Sequence, residues 1–122
     1  MKHFSPYKLD PASGLLYKGR ERLALSRKSA TVLAYLVARA GSVISKAELL
    51  AAVWPDTHVI PENLKVHVLE IRKALRDDVH HPTFIETLHG RGYRFVAPVS
   101  DQEPVTRVAP MASRGVLQTA AG

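Results

Sequence analysis

Four apolar residues at helical spacing over positions 62–76 constrain the fold more than any other feature of the sequence. They step by four, three and four positions, and they are Leu64, Val68, Ile71 and Leu75. At about 100° per residue this spacing places all four on one narrow face of a helix. Pro61 is well placed to open the helix, because its fixed φ and missing N–H are tolerated at the first helical position. The pattern predicts an amphipathic helix over 62–76 whose apolar face packs into a core.

The remaining surface of the same predicted helix is polar and cationic. Positions 62–76 carry four Lys or Arg residues against two acidic ones. At a rise of about 1.5 Å per residue the helix would span roughly 22 Å, which is enough to lie across the major groove of duplex DNA. The alternative is a solvated basic face that binds nothing, and features elsewhere in the chain decide between the two.

The excess of basic charge lies in the first part of the chain. Of the 122 residues, positions 1–99 hold 15 Lys or Arg against 9 Asp or Glu, whereas positions 100–122 hold two of each. The second segment also has two prolines, small residues and no hydrophobic period, which is typical of a linker or tail. We therefore predict one domain over 1–99 and a flexible linker or tail over 100–122. The net charge of +6 favours an acidic partner for the domain.

Composition and hydropathy exclude several classes of protein. The chain has no cysteine, so it has no disulfide framework, thiolate zinc site, iron–sulfur cluster or cysteine nucleophile. Its apolar runs are far shorter than the roughly 20 residues of a membrane-spanning helix, and its first residues lack the apolar segment of a signal peptide. A hydrophobic fraction of 46% is sufficient for a packed core. We expect a soluble, cytoplasmic, nucleoid-associated protein with no membrane segment.

Short strands joined by turns are predicted for the first 25 residues. Phe4, Tyr7 and Leu9 precede a turn over 10–14 that contains proline and glycine, and a second turn follows at Gly19. Apolar residues stand between and after these turns. This arrangement is typical of a small antiparallel β-meander.

Two further helices are predicted after the meander. Ser26 caps the first, which runs over about 27–40 until Gly41 ends it. Ser45-Lys46-Ala47-Glu48 fits the capping box at the start of the second helix. Pro55 ends that helix, because the residue before a proline is driven out of the helical conformation.

A β-hairpin is predicted near the end of the domain. Positions 84–88 and 93–96 are typical of strands, and between them His89-Gly90-Arg91-Gly92 supplies two glycines for a tight reversal and an arginine for its tip. Two helices in tandem followed by a basic hairpin are the winged helix-turn-helix arrangement. We therefore predict an α+β fold with an N-terminal antiparallel β-meander, three helices and a C-terminal hairpin, the wing, over 84–97. The basic wing favours DNA binding over a solvated basic face.

An ordered set of short motifs carries a family resemblance. The motifs are Ser45-Lys46-Ala47-Glu48-Leu49-Leu50 with Val53-Trp54, Leu64-Lys65-Val66-His67-Val68 with Ile71-Arg72-Lys73-Ala74-Leu75, Ile85-Glu86-Thr87-Leu88, and Gly90-Arg91-Gly92-Tyr93-Arg94-Phe95. Over nearly all of residues 4–97 the chain resembles the C-terminal effector domain of OmpR/PhoB-type transcriptional regulators. The resemblance implies a sequence-specific, double-stranded-DNA-binding domain of a bacterial, response regulator-like protein, whose third helix enters the major groove.

The same resemblance implies the residues of a binding site. Those in the major groove are Asn63, Val66, His67 and Glu70. Those near phosphates are Lys46, Trp54, Arg72, Lys73 and Thr87. Those on the wing, over the flanking backbone or minor groove, are His89, Gly90, Arg91 and Arg94. The loop that would contact RNA polymerase comprises Pro55, Asp56, Thr57, His58 and Val59. The family also implies a homodimer bound head to tail on direct repeats.

Two positions depart from the family pattern. Glu70 stands where many relatives carry a base-contacting arginine, which suggests either a contact to cytosine N4 or a pairing within the protein. His89 stands where a minor-groove arginine is common, and Arg91 is expected to take its place. Val66 has a rationale that is independent of the family, because an exposed valine on a polar face is stabilised by contact with a thymine methyl group.

Other interpretations of single residues are weaker. His80-His81, with His89 nearby, lack a further ligand at any recognised metal-site spacing, and Asp77-Asp78 are typical of a turn after a helix. We therefore expect no metal, no cofactor, no small-molecule substrate and no catalytic activity. Trp54 is expected to be a partly buried core residue first, with any phosphate contact secondary. For His67 a role facing DNA is favoured over a half-buried structural one.

Two functions from other classes stay open. One is a winged-helix module that binds another protein, and the charge of the helix and wing argues against it. The other is a nonspecific nucleoid-binding protein. Because only three residues precede Phe4, we expect no control by a receiver domain in this chain, which is either a fragment of a longer regulator or a small stand-alone one.

Overall fold

Seven strands and three helices make up the computed structural model, which describes residues 1–101. The strands are β1 (Lys2–Phe4), β2 (Tyr7–Asp10), β3 (Leu15–Lys18), β4 (Glu21–Leu23), β5 (Val43–Ile44), β6 (Ile85–Leu88) and β7 (Gly92–Phe95). The helices are α1 (Arg27–Ala38), α2 (Lys46–Val53) and α3 (Pro61–Leu75). The predicted α+β class and the order of its elements are confirmed.

The first four strands form an antiparallel sheet in which each strand pairs with the next along the chain. Leu9 on β2 lies opposite Leu16 on β3, and both are buried. Phe4 and Tyr7 flank the reversal between β1 and β2 and are buried as well. The predicted meander is therefore present, and the apolar side of its sheet covers the helices.

A second sheet contains the wing and one strand that the sequence analysis did not predict. Its order is β5-β7-β6, with both pairs antiparallel. The wing strands begin and end within a residue of the predicted positions. β5 consists of only Val43 and Ile44, which is too short to show the alternation by which a strand is recognised in a sequence. It ties the segment between α1 and α2 to the inner strand of the wing.

Helices α1 and α2 begin at the positions predicted from their capping serines. The hydroxyl of Ser26 accepts from the Ser29 N–H, and the hydroxyl of Ser45 accepts from the Glu48 N–H. Pro61 is the first residue of α3, so this helix spans Pro61–Leu75 rather than the predicted 62–76. α1 ends at Ala38, two residues before its predicted end.

The apolar stripe of α3 lies at the centre of the core. Its four residues are at most 2% exposed: Leu64, Val68, Ile71 and Leu75. An aromatic cluster packs at one end of the core, where the rings of Phe4 and Phe95 lie 5.1 Å apart in an edge-on arrangement. The hydroxyl of Tyr7 donates a 2.8 Å hydrogen bond to the Leu75 carbonyl. That bond joins the meander to the C-terminal end of α3.

The end of the described chain returns to the first strand. Ser100 exchanges two backbone hydrogen bonds with His3, of 2.7 and 2.9 Å. Ser100, the first residue of the predicted tail, is therefore paired with β1. The rest of the predicted tail, over 102–122, lies outside the described residues. None of the helices within residues 1–101 combines the length and apolarity needed to cross a bilayer.

Gly92 provides a test of the three-stranded wing sheet. Its φ is +136°, and a Cβ on it would lie 2.0 Å from the carbonyl oxygen of Ile44 on β5. We predict that Gly92→Ala lowers the free energy of unfolding by at least about 3 kcal/mol, through backbone strain and overpacking, as measured by urea denaturation. The matched control is Gly90→Ala, because Gly90 has a φ of +74° but open space where the Cβ would lie; it should cost about 1–2 kcal/mol. Equal losses in the two variants would show that β5 does not approach Gly92.

Candidate nucleic-acid interface

The outward face of α3 is exposed over three turns. It lies opposite the buried stripe, and its exposed residues are Glu62, Asn63, Lys65, Val66, Leu69 and Lys73. Two of them are large and apolar, since Val66 is 62% and Leu69 is 54% exposed. Residues three apart on a helix are neighbours, so the two side chains form one small apolar patch between two lysines. Sequence reasoning identified Val66 and missed Leu69, although its place one turn after Val66 was a signal.

Glu70 is turned away from this face and pairs within the protein. Its carboxylate accepts from the Ser26 N–H at 2.7 Å, the Ser26 hydroxyl at 3.0 Å and the Ser29 hydroxyl at 2.7 Å. Burial acts to raise the pKa of Glu70, but these hydrogen bonds and the nearby His67 outweigh it and hold the pKa below its ordinary value. Of the two roles expected for Glu70, the structure shows the internal pairing rather than a base contact.

His67 belongs to the same network. Its Nδ1 lies 2.8 Å from the Ser29 hydroxyl oxygen, and its ring centroid is 5.4 Å from that of Trp54. A hydroxyl has one proton, so Ser29, when it donates to Glu70, accepts from the Nδ1–H of His67. The half-buried ring is thus held between α1 and the end of α2, which is closer to the structural role than to the DNA-facing role that the sequence favoured.

Arg72 and Thr87 bind each other. One terminal nitrogen of Arg72 donates to the Thr87 hydroxyl at 2.6 Å and to the Ile85 carbonyl at 2.9 Å. Both residues were expected near phosphates, and here they join α3 to β6. The pairing has a physical reason: β6 lies beside the flank of α3, and the Ile85 carbonyl and the Thr87 hydroxyl are acceptors that a half-buried guanidinium needs. The wing is thereby fixed relative to α3.

The tip of the wing keeps exposed polar side chains. His89, Gly90 and Arg91 are exposed, and the Arg91 N–H donates to the Leu88 carbonyl to close the turn. Arg94 was also predicted as a wing contact, but its guanidinium donates to the Glu86 carboxylate across the two strands. Arg91 therefore carries the positive charge of the tip, whereas the charge of Arg94 is largely balanced.

An aromatic side chain at the C-terminal end of α2 lies beside a cationic side chain of α1. Trp54 is half-buried against the core, as predicted. The Nζ of Lys28 lies 5.5 Å from the centroid of its ring and donates to the Val53 carbonyl at 2.9 Å. Lys46 stands at the first position of α2 and is half-buried. Lys28 was missed because it is far from Trp54 in the sequence.

The loop between α2 and α3 forms a separate exposed feature. Four of its five predicted contact residues are exposed, Val59 is half-buried, and the exposed ones are Pro55, Asp56, Thr57 and His58. Val59 and Trp54 border a shallow groove against α2. Among residues 1–101 no three His, Asp or Glu side chains come together as a metal site.

Known proteins share both the sequence and the fold. The family model described as "Transcriptional regulatory protein, C terminal" matches residues 19–95. Transcriptional regulator HilA of Salmonella typhimurium is 35% identical over 108 residues, which cover 88% of this chain. Those residues are 18% of HilA, so the chain spans less than a fifth of that relative.

Solved structures agree with the family match. The DNA-binding domain of Escherichia coli CadC superposes with a TM-score of 0.71 at 25% identity, covering 81% of this chain and 94% of that one. The Klebsiella pneumoniae RstA DNA-binding domain, solved in complex with RstA box, gives a TM-score of 0.68 at 26% identity, covering 77% and 94%.

The Glu70 network generates a prediction about acid stability. Because its folded pKa is lowered, Glu70 stabilises the fold above its unfolded pKa of about 4.3, and this contribution is lost as the pH falls through the folded value. We predict that Glu70→Gln lowers the free energy of unfolding at pH 7 by about 1–2 kcal/mol, and that the difference from the unsubstituted chain shrinks at low pH. Urea denaturation at several pH values measures both.

The matched control is Glu21→Gln on the exposed strand β4. It should change the free energy of unfolding by less than about 0.5 kcal/mol at any pH. A Glu70→Gln variant that behaves like this control would show that the three hydrogen bonds to Glu70 do not hold in solution.

Proposed function

The chain belongs to the family of OmpR/PhoB-type transcriptional regulatory C-terminal domains, and from that premise we propose that it binds a specific sequence of double-stranded DNA. It is a DNA-binding domain of a transcriptional regulator. In the proposed complex the outward face of α3 enters the major groove and the tip of the wing rests on the flanking backbone or minor groove. We further propose that the ligand is chromosomal, and hence that the protein is cytoplasmic and nucleoid-associated.

The single observation that carries this proposal is the character of the exposed face of α3. A single exposed apolar side chain on a helix needs no explanation, but here two of them, Val66 and Leu69, are adjacent and more than half exposed on a face bordered by Lys65 and Lys73. An apolar patch between two cations is complementary to the floor of a major groove between two phosphate chains. The helix has 15 residues, and its length of about 22 Å suits that groove.

We propose that five cations neutralise phosphates. They lie on α1, α2, α3 and the tip of the wing, and they are Lys28, Lys46, Lys65, Lys73 and Arg91. Trp54 lies beside Lys28 and supports it through the face of its ring. Arg72 and Thr87 contribute indirectly, because they hold the wing at a set position beside α3.

The wing is proposed to contact the minor groove with Arg91. A narrow minor groove has an enhanced negative potential that attracts an inserted cation. Gly90 has a φ of +74°, which sets the tight reversal and keeps side-chain bulk away from the tip. His89 lies next to it and is exposed.

Two protein partners follow from the family resemblance alone. The exposed loop over 55–59 is proposed to contact RNA polymerase. Head-to-tail binding of two copies to direct repeats is proposed as the assembled state. Catalysis, a cofactor and a small-molecule substrate have no place in this function.

A salt titration of duplex binding tests the proposal. A pool of random duplexes is first selected on the full chain, and the affinity of a recovered duplex is then measured between about 50 and 200 mM salt. Because each neutralised phosphate contributes about −0.9 to the log–log slope, five contacts predict a slope of about −4.5. Lys73→Ala should reduce its magnitude by about 0.9.

The matched control is Arg20→Ala, which removes an exposed cation from the turn between β3 and β4. Its slope should equal that of the unsubstituted chain. No duplex bound at low salt would refute the proposal and favour a protein-binding module, whereas recovery of no preferred sequence would favour nonspecific nucleoid binding.

A further inference from the structure

The hydrogen-bonding side chains expected to contact bases on α3 are mostly engaged within the protein. Glu70 accepts from Ser26 and Ser29, and His67 is held by Ser29. The guanidinium of Arg72, which was expected near phosphates, likewise donates to β6. The middle of the outward face is therefore occupied by the side chains of Val66 and Leu69, with Asn63 towards the N-terminal end.

The major groove offers one apolar group that an aliphatic side chain can recognise. The base edges there present hydrogen-bond donors and acceptors, and the C5-methyl group of thymine is the apolar exception. Resting on the proposed DNA-binding function, we propose that Leu69 is a specificity-determining residue, and that Leu69 together with Val66 recognises thymine methyl groups.

The spacing of the two side chains limits where the thymines stand. Residues three apart rise by about 4.5 Å along the helix axis, and their Cβ atoms are about 5–6 Å apart. Successive base pairs are about 3.4 Å apart. Val66 and Leu69 can therefore reach the methyl groups of two thymines within one or two base steps of each other.

Charge on the same face favours DNA over a second copy of this chain as the occupant. Lys65 and Lys73 border the apolar patch and Arg91 lies at the tip of the adjacent wing. The face holds one exposed carboxylate, Glu62, against these three cations, so two such faces brought together would each present a net positive charge, whereas a groove lined by phosphates neutralises it.

Replacement of thymine by deoxyuracil tests this inference, because it removes one methyl group and leaves the hydrogen-bonding edge unchanged. A duplex selected on the full chain is synthesised with deoxyuracil at one thymine at a time. One buried methyl group is worth about 0.8 kcal/mol, so each contacted position should weaken binding about fourfold. Thymines that are not contacted should show no change.

Variants then assign the methyl groups to side chains. Leu69→Ala should bind the all-thymine duplex more weakly and lose its sensitivity to deoxyuracil at one contacted position, while it keeps the sensitivity at the position contacted by Val66. Val66→Ala should show the reverse pattern. The matched control is Val79→Ala, which truncates a 52% exposed valine beyond the C-terminal end of α3 and should retain both sensitivities.

The outcomes separate this inference from the proposed function. Sequence-specific binding with no deoxyuracil effect, or with the same effect in Leu69→Ala as in the unsubstituted chain, overturns the role of Leu69 and leaves DNA binding intact. Failure to recover any duplex overturns both. Circular dichroism of each variant serves as the control for folding. We expect positions 66 and 69 to tolerate alanine, because they are exposed and alanine is a strong helix former.

Discussion

Burial of the apolar stripe of α3 fixes the rotation of that helix about its own axis, and this rotation decides which side chains are left for a ligand. Leu64, Val68, Ile71 and Leu75 are almost completely buried. Burial of each side chain of this kind stabilises the fold by about 1.5–3 kcal/mol. A rotation that exposed all four would therefore cost far more free energy than surface contacts could contribute. The outward face of α3 follows from the core rather than from its own polar residues.

The two flanks of α3 serve the fold, and only the face between them is open. On one flank Glu70 and His67 bind the N-terminal turn of α1 through Ser29. On the other flank Arg72 binds β6. The helix is thus held from both sides at a set position relative to α1 and the wing. Such preorganisation favours binding, because little conformational freedom is lost when the ligand arrives.

Structural features that leave a local pattern in the sequence were predictable, and features that depend on partners distant in the sequence were not. The stripe of α3, the capping serines and the two-glycine reversal of the wing each leave a local pattern. β5 leaves none, because two residues have no period. The internal pairing of Glu70 joins residues 41 and 44 positions apart, and that of Arg72 joins residues 13 and 15 positions apart. A helical wheel places Glu70 on the side opposite the stripe and Arg72 on a flank, but it cannot show which groups of other elements lie beside them.

The sequence also does not show which cations of the helix and wing are paired within the protein. Formal charge counts Arg72 and Arg94 with the other cations of the helix and wing, yet one is committed to the backbone of β6 and the other to Glu86. Lysines on the outward face and Arg91 at the wing tip keep exposed side chains. The surface available to an anionic ligand is therefore smaller and better defined than the sequence suggests, and its centre is apolar.

A methyl-selective NMR titration of the chain with its selected duplex tests the central claim most directly. If the open face of α3 is the binding surface, the methyl resonances of Val66 and Leu69 will show the largest perturbations. Those of buried Leu64 and of Leu16 in the meander will move little. Perturbations concentrated on the meander or on the groove beside α2, with Val66 and Leu69 unchanged, would contradict the account.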